Sequence, residues 1–186
     1  MRLFIAIQVP EYVKVCADSL KDKLSPAGLD IKWVEYVNYH LTLKFLGEVD
    51  KTHVVKVKEK LEKAAQGSAP FNLALSRPGC FPNWKRPRVL YLGISGQNNM
   101  ALALGNRIDA GLSEMGFKPD NRRHFHLTLG RFRSERNIEK LVHIIENMPD
   151  DEIDTRAFQV SQFYLMESQL LKKGPVYKVV DTMKIG

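Results

Sequence analysis

The amino-acid sequence predicts an α+β protein made of two related halves. Strand-like segments with alternating apolar residues are interspersed with segments of helical spacing throughout the 186 residues, a mixture typical of this class. The order of these segments in the first half is loosely repeated in the second. The tetrapeptide His-Leu-Thr-Leu stands at residues 40–43 and again at residues 126–129, once in each half.

Each predicted element has its own sequence signal. The strands, which show apolar alternation or short β-branched runs, are expected at residues 2–9, 31–34, 39–47, 71–76, 89–94, 124–132, 155–167 and 176–183. The helices, which show apolar residues at helical spacing, are expected at about residues 10–24, 51–65 and 100–115, and from Ser134 or Asn137 to about residue 147. Pro10 suits the first turn of the first helix. Asp50 or Thr52 can cap the second helix, and Gly116 ends the third.

Short connections join these elements. Residues 77–88 are expected to form a proline-rich loop, and Gly174 and Pro175 a turn before the last strand. Neither a Gly/Ser-rich linker nor a shift in composition separates the halves. Residues 1–186 are therefore expected to form a single domain of two lobes.

The composition narrows the class of protein and its partners. The chain has 28 Lys and Arg against 21 Asp and Glu, a net charge of +7, which favours an anionic partner such as nucleic acid. No apolar run approaches the roughly 18 residues needed to cross a bilayer, so no membrane partner is expected. Cys16 and Cys80 share no motif, and reduced cysteines are typical of a cytoplasmic protein. We expect a monomer.

The repeated motif divides into two faces. Side chains alternate along a strand, so His40 and Thr42 share one face while Leu41, Leu43 and Phe45 share the other. The second copy is arranged in the same way. Each copy therefore presents an imidazole beside a hydroxyl, and the leucines behind them face a core.

The two polar faces can meet across a groove if the halves are related by pseudo-two-fold symmetry. Opposed imidazoles suit in-line displacement at a phosphodiester, since His40 and His126 titrate near pH 6.5 and one can act as a base while the other acts as an acid. The hydroxyls of Thr42 and Thr128 can donate to the non-bridging phosphate oxygens. Arg131 can add a bidentate contact to the same oxygens.

Two cationic side chains near the motifs depend on the local strand geometry. Simple alternation puts Arg131 on the leucine side, so it reaches the phosphate only if Gly130 bends or bulges the strand. Lys44 lies two residues after Thr42 and is expected on the same face. There it would either approach the phosphate or remain solvated.

Other side chains are candidate contacts to a substrate. His124 shares the face of His126 and can lie at the edge of the groove. Phe81 and Trp84 stand in a loop rich in cations. They can stack on a base of single-stranded RNA, or they can pack the loop onto its sheet.

The two motifs resemble those of a known superfamily. The segments HLTLKFLGEV at residues 40–49 and HLTLGR at residues 126–131 are similar to the paired HxT motifs of the 2H phosphoesterases. Within that superfamily they most resemble the RNA 2′,3′-cyclic phosphodiesterases, also called the 2′-5′ RNA ligase family (LigT- and ThpR-like proteins). The resemblance extends to MRLFIAIQVP at 1–10, CFPNWKRPRVLYLGI at 80–94 and KKGPVYKVV at 172–180. Phe125 stands where a proline often precedes the second histidine, and we expect it to extend the apolar back of the strand.

The resemblance implies a bilobal 2H phosphoesterase fold with pseudo-two-fold symmetry, in which two antiparallel sheets flank a central cleft and helices lie outside. It implies hydrolysis of an RNA or nucleoside 2′,3′-cyclic phosphate to a 2′-phosphate without cofactor or metal, and tRNA fragments are candidate substrates. In that reaction His126 is the base that activates water and His40 is the acid that protonates O3′, or these roles are exchanged. The resemblance also implies a reversible, ATP-independent 2′-5′ ligation of RNA, in which a 5′-hydroxyl takes the place of water.

Two other functions stay open on the sequence. A zinc-dependent phosphohydrolase would use His40, His124 and His126 as ligands. A non-catalytic RNA-binding module would keep the fold without turnover. The intact HxT pairs favour the enzyme, because a binding module does not require two opposed imidazoles.

Overall fold

The structure is a computed structural model that describes residues 1–172 and 174–186. Within them, strands and helices alternate and confirm the predicted α+β class. The strands are β1 Arg2–Gln8, β2 Ile31–Trp33, β3 His40–Glu48, β4 Phe71–Phe81, β5 Val89–Gly96, β6 His126–Phe132, β7 Phe158–Val160, β8 Gln162–Leu171 and β9 Gly174–Lys184. The α-helices are α1 Glu11–Leu24, α2 Val54–Gln66, α3 Asn98–Ser113 and α4 Ile138–Glu146.

The strands form one antiparallel sheet in the order β7-β4-β5-β6-β3-β1-β8-β9, and β2 pairs with β6. The two sheets expected from the sequence are the two halves of this sheet. The halves meet where β3 lies beside β6, and the pair Leu41–Leu127 joins them there. The two HxT strands are therefore neighbours at the centre of the sheet.

One face of the sheet is covered by helices and forms the main hydrophobic core. The leucines of both motifs are fully buried in it. The helices contribute apolar residues three or four positions apart, such as Leu20 and Leu24 of α1 and Leu104 and Ile108 of α3. Each fully buried leucine contributes roughly 1.5–3 kcal/mol, so the core holds the backs of both strands firmly.

The opposite face carries a small second cluster. Phe4, Ala6 and Met166 are buried there, and Tyr164 and Tyr177 pack against them. Phe4 and Ala6 alternate along β1 with residues that point into the main core, as strand geometry requires. This aromatic surface belongs to the face of β3 that carries His40, since the ring centroids of Phe4 and His40 are 5.1 Å apart.

Three elements differ from the sequence prediction. The single strand expected at 155–167 is two strands, because the chain leaves β7 at one edge of the sheet and pairs β8 with β1 in the other half. Strand β4 continues through Pro78 and Gly79 after a register shift, although we expected a loop there. Gly174 and Pro175 begin β9 instead of forming the turn.

The predicted helix signals agree better with the structure. Pro10 immediately precedes α1, and the side chain of Asp50 accepts a hydrogen bond from the Thr52 backbone N–H at 2.8 Å before α2. Gly116 adopts a positive φ of 86° just after α3, a conformation that glycine tolerates at a helix end. No helix in the described part of the chain is long and apolar enough to span a lipid bilayer.

Candidate active site

The pair Leu41–Leu127 brings the two HxT motifs together. Because β3 and β6 are antiparallel, the residues that flank this pair face one another across the strands. The register places His40 across from Thr128 and Thr42 across from His126. The four polar side chains thus share one face of the sheet, around an approximate two-fold axis through the leucine pair.

Burial along both strands follows the predicted alternation through the motifs. In β3, Leu41 and Leu43 are buried while His40 and Thr42 are half-buried. The second copy in β6 repeats this pattern. The half-buried residues face the cleft, where a substrate has access to them.

A β-bulge follows the second motif and directs Arg131 toward the cleft. Thr128 pairs with Tyr91 and Gly130 pairs with Leu90, so Leu129 is one residue more than the partner strand has. The extra residue reverses the alternation beyond it. Arg131 is exposed, and its positive charge lowers the pKa values of both His40 and His126. The sequence predicted that Arg131 faces the cleft only if the strand bulges at Gly130. The structure has this bulge, at Leu129 and Gly130.

An equivalent bulge follows the first motif and overturns two expectations. Thr42 pairs with Ala6 and Lys44 pairs with Ile5, so Leu43 is the extra residue. Lys44 is consequently buried on the helix side, where it forms a salt bridge with Asp109 of α3. The expectation that Lys44 approaches the phosphate or remains solvated is wrong, because the bulge turns it away from the cleft.

Phe45, expected among the leucines, is turned to the cleft face by the same bulge. Its side chain is 68% exposed and its ring centroid lies 6.1 Å from that of Phe4. An exposed phenylalanine at the edge of a polar site offers a flat apolar surface to a ligand. Simple alternation did not predict the exposure of Phe45, because no local sequence pattern indicates the bulge.

Both candidate histidines are held by the same kind of contact. Nδ1 of His40 lies 2.7 Å from the carbonyl oxygen of Asn38, and Nδ1 of His126 lies 2.7 Å from that of His124. A carbonyl oxygen only accepts hydrogen bonds, so each Nδ1 carries the hydrogen. Nε2 is left as the basic atom of each neutral ring. In His40 it lies 3.1 Å from Oγ1 of Thr42, whose hydroxyl donates to it.

Burial lowers the pKa values of both histidines below their usual 6.5. For His40, burial is the largest influence; the hydrogen bond to Asn38 raises the pKa, and the charges of His126 and Arg131 lower it further. For His126 the largest influence is again burial, and the nearby charges of His124 and Arg131 add to it. Both rings are therefore neutral at pH 7 when no anion is bound, and a bound phosphate would favour the charged form.

Aromatic rings border each histidine. Tyr177 of β9 makes an edge contact with His40 at a centroid distance of 5.2 Å, next to Phe4. Phe81 and Tyr91 stack at 4.3 Å, and Phe81 makes an edge contact with His126 at 5.0 Å. These rings cover one side of each imidazole and contribute to the burial that lowers its pKa.

The remaining sequence candidates fall in different places. His124 is exposed, just before β6, with its ring centroid 6.2 Å from that of His126 and 5.1 Å from that of Phe81. Phe81 and His124 thus border the cleft. Trp84 packs against the main hydrophobic core, as expected if it packs the loop onto its sheet. Phe125 is buried in the same core and extends the apolar back of its strand.

The three histidines considered as zinc ligands are not arranged as a metal site. Within residues 1–172 and 174–186, no three His, Cys, Asp or Glu side chains are grouped so that they could hold a metal ion. His40, His124 and His126 are included in that finding. The histidines are instead bordered by aromatic rings and by the Arg131 cation, surroundings that suit an anionic ligand.

Asn38 supports the site in a way that the sequence did not indicate. It is buried, and its side-chain amide donates a hydrogen bond to the carbonyl oxygen of Pro175 at 2.9 Å. Its own carbonyl holds Nδ1 of His40. Asn38 therefore ties the β8–β9 hairpin, which supplies Tyr177, to the first histidine.

Comparison with known proteins explains the two-fold arrangement. The family model described as LigT like phosphoesterase matches residues 7–91 and, a second time, residues 93–177. The chain belongs to the LigT-like phosphoesterase family. The two matches begin 86 positions apart, which is also the separation of His40 and His126. The two halves of this phosphoesterase therefore align on the repeated motif, and the resemblance indicated by the HxT motifs is confirmed.

Relatives of this phosphoesterase match it over nearly its whole length. The RNA 2′,3′-cyclic phosphodiesterase of Methanocaldococcus jannaschii is 37% identical over 182 residues, which are 97% of this chain and 98% of that protein. The crystal structure of TT0787 from Thermus thermophilus matches with a TM-score of 0.81 at 28% identity, covering 100% of this chain and 98% of that one. The crystal structure of Escherichia coli LigT complexed with 3′-AMP has a TM-score of 0.77 at 24% identity, covering 99% and 96%, and shares the fold.

Proposed function

We propose that this phosphoesterase hydrolyses the 2′,3′-cyclic phosphate of an RNA or nucleotide to a 2′-phosphate, using His40 and His126 and no metal. The observation that carries the proposal is the matched pair of imidazoles. Each is fixed through Nδ1 to a backbone carbonyl, and the two lie on the same face on either side of Leu41–Leu127. Such an arrangement would supply an acid and a base for the same phosphorus atom, as in-line displacement requires.

In the proposed reaction, Nε2 of His126 takes a proton from a water molecule whose oxygen attacks phosphorus. The bond from phosphorus to O3′ breaks, and the protonated His40 gives its proton to O3′. His40 must therefore be charged in the complex although burial keeps it neutral in the free protein. The negative charge of the bound phosphate raises its pKa and supplies that state.

Three side chains are proposed to hold the phosphate. The hydroxyls of Thr42 and Thr128 lie on the cleft face beside the histidines and can donate to the non-bridging oxygens. Arg131, exposed on the same face, would neutralise the charge that builds on these oxygens in the transition state. The attractive field of the net charge of +7 favours approach of a polyanion such as RNA.

The aromatic borders of the cleft support a nucleoside as the rest of the substrate. Phe45 is exposed beside Phe4, and Phe81 lies beside His124 and His126. Aromatic faces stack on bases of single-stranded RNA. The name of the M. jannaschii relative, an RNA 2′,3′-cyclic phosphodiesterase, and the 3′-AMP bound to E. coli LigT agree with such a ligand.

Several finer points belong to the same proposal. A terminal 5′-hydroxyl that replaces water as the nucleophile would form a 2′-5′ phosphodiester while the bond from phosphorus to O3′ breaks as before, and the energy of the strained cyclic ester makes ATP unnecessary. The cyclic phosphate ends of tRNA fragments are candidate substrates. We propose a monomer in the cytoplasm, where Cys16 and Cys80, which are free thiols, would stay reduced.

The test is incubation of the purified protein with a nucleoside 2′,3′-cyclic phosphate in excess EDTA, followed by identification of the product. We expect the nucleoside 2′-phosphate at a rate that EDTA leaves unchanged. Loss of turnover in EDTA that zinc restores would establish the metal-dependent alternative. Tight RNA binding without any turnover would establish the binding module.

A further inference from the structure

A buried ionic cluster lies behind the two HxT motifs, on the helix side of the sheet. It consists of Lys44 on β3, Asp109 on α3 and Arg123 in the segment before β6, and we call these three residues the buried ion triad. Their side chains are 5%, 7% and 2% exposed. The proposed reaction uses none of them, since all three point away from the cleft.

Asp109 is the hub of the triad. One carboxylate oxygen accepts from Nζ of Lys44, and the other accepts from Nη2 of Arg123 at 2.8 Å and from the backbone N–H of Asp120 at 2.9 Å. Burial raises the pKa of Asp109, but the hydrogen bonds from Lys44, Asp120 and Arg123 outweigh it and keep the pKa below its usual value. The carboxylate is therefore charged and fully engaged.

Each cation of the triad also donates a hydrogen bond to a backbone carbonyl. Nε of Arg123 donates to the carbonyl oxygen of Leu43 at 3.1 Å, and Leu43 is the bulge residue that follows Thr42. Nζ of Lys44 donates to the carbonyl oxygen of Lys118 at 2.6 Å. The triad thus ties the bulge of β3 to the segment that leads into β6.

The second motif is connected to the triad through a short path. Arg123 is followed by His124, whose carbonyl oxygen holds Nδ1 of His126. The guanidinium of Arg123 lies directly against α3 at Gly105, where a Cβ would come within 2.6 Å of it. Arg123, which links the bulge to the segment before His126, is therefore held between β3 and α3.

Stability alone is a poor reason to bury three charges. Removing charges from water is costly, and well-packed apolar residues of similar size often stabilise a protein equally well. What an ion triad adds is a defined geometry, because its hydrogen bonds hold only in one arrangement of the three segments. Of these segments, β3 carries His40, and the segment that contains Arg123 leads directly into His126 at the start of β6.

We propose that the buried ion triad positions the two HxT motifs relative to each other, with Asp109 as the central positioning residue. The proposal rests on the proposed function for its kinetic consequence. It assigns to the triad the alignment of His40 and His126 with a substrate held between them. A displacement of about 1 Å at such groups can reduce turnover by about 100-fold.

The first test replaces the whole triad with apolar residues of similar size, in the variant Lys44→Met/Asp109→Leu/Arg123→Met. We expect a folded protein with a Tm close to that of the wild type, a KM within about threefold and a kcat lower by roughly 10- to 100-fold. The matched control is Glu114→Gln, which removes an exposed carboxylate paired with Lys60 at the end of the same helix. It should leave kcat unchanged. A triple variant with wild-type kcat would overturn the proposal.

A second variant covers the case in which the triple variant does not fold. Arg123→Lys keeps a cation beside Asp109 but removes the Nε donor to Leu43. We expect a folded protein whose kcat falls by about 3-fold or more at unchanged KM. An unchanged kcat in this variant would contradict the role of the contact to the bulge.

The ¹⁵N NMR signals of the imidazoles provide a readout that needs no substrate. In the wild type we expect His40 and His126 each as a single Nδ1–H tautomer, since each Nδ1 donates to a carbonyl. If His126 no longer shows a single Nδ1–H tautomer in a folded triad variant, the positioning role is supported. If the spectra of the variant and the wild type are identical, that role is refuted. An inactive wild type would instead refute the proposed function, and the NMR comparison would still decide the role of the triad.

Discussion

Phe45 and Arg131 occupy equivalent places in the two halves of the molecule. They are 86 positions apart, like the two histidines, and each follows a one-residue bulge at Leu43 or Leu129. Both bulges turn the side chain to the cleft. The cleft is thus symmetric in its histidines and threonines and asymmetric at its ends, with an apolar ring at one end and a cation at the other.

Replacement of Arg131 by Ala should shift the pH–rate profile to higher pH. The Arg131 charge lowers the pKa of both His40 and His126, so its removal raises both. The proposed mechanism requires one neutral and one protonated imidazole, so both limbs of the bell-shaped profile of kcat/KM should move to higher pH. The value of kcat/KM at the optimum should fall by about 100-fold, since the proposed contact of Arg131 to the phosphate is lost.

The comparison is a profile of kcat/KM between pH 4.5 and 9 for the wild type, Arg131→Ala and the control Arg133→Ala. Arg133 is an exposed cation just beyond the end of β6 and should leave the profile in place. A loss of rate in Arg131→Ala without movement of either limb would mean that Arg131 is not coupled to the histidines.

Replacement of Phe45 by Ala should weaken substrate binding and leave the fold intact. The side chain is 68% exposed, so little core packing is lost. Stacking on a base contributes about 1–3 kcal/mol, and KM should rise by about 5-fold or more while kcat changes less. Val55→Ala removes a similarly exposed apolar side chain, 64% exposed, on α2. If both variants behave alike, Phe45 does not contact the substrate.

Replacement of His40 or His126 by Ala should nearly abolish turnover of a 2′,3′-cyclic phosphate. Loss of a general acid or base costs about 100- to 10,000-fold in rate. Both rings are on the cleft face and the leucines anchor the strands, so near-UV circular dichroism should be unchanged. His53→Ala, an exposed histidine before α2, is the control. Near-normal rates in either cleft variant would reject the assignment of the two histidines.

Replacement of Asn38 by Ala should reduce both stability and turnover. The change leaves the carbonyl oxygen of Pro175 without its donor, at a cost of about 1–3 kcal/mol. The hairpin that holds Tyr177 against His40 is released as well. We expect a lower midpoint in urea and a lower kcat for the folded protein. Asn147→Ala, which removes an exposed hydrogen bond to the carbonyl of His143, should change neither.

Strand periodicity was enough to predict the two faces of the HxT strands. Leu41 and Leu127 are fully buried while His40 and Thr42 are half-buried, as alternation required. Apolar alternation is a local property, and a slip of one residue would expose every leucine. Phe125 also followed this rule and is buried in the core.

The bulges lay beyond what local patterns could predict. A single extra residue at Leu43 reversed the expected positions of Lys44 and Phe45. The cause is the register of the neighbouring strand, which depends on residues far away in the chain. The separation of β7 from β8 has the same origin, because their partners β4 and β1 lie in different halves of the sheet.

The amino-acid sequence by itself thus determined the α+β class, the duplicated motif and the side of each strand that carries polar groups. These properties depend on residues only a few positions apart in the chain. The folded chain alone brought His40 near His126 and turned Arg131 and Phe45 into the cleft. It also placed Lys44 against Asp109. Those contacts join residues up to about 90 positions apart, and only the packing of helices and strand register can set such distances. The doubled His-Leu-Thr-Leu becomes one site through the pairing of Leu41 with Leu127.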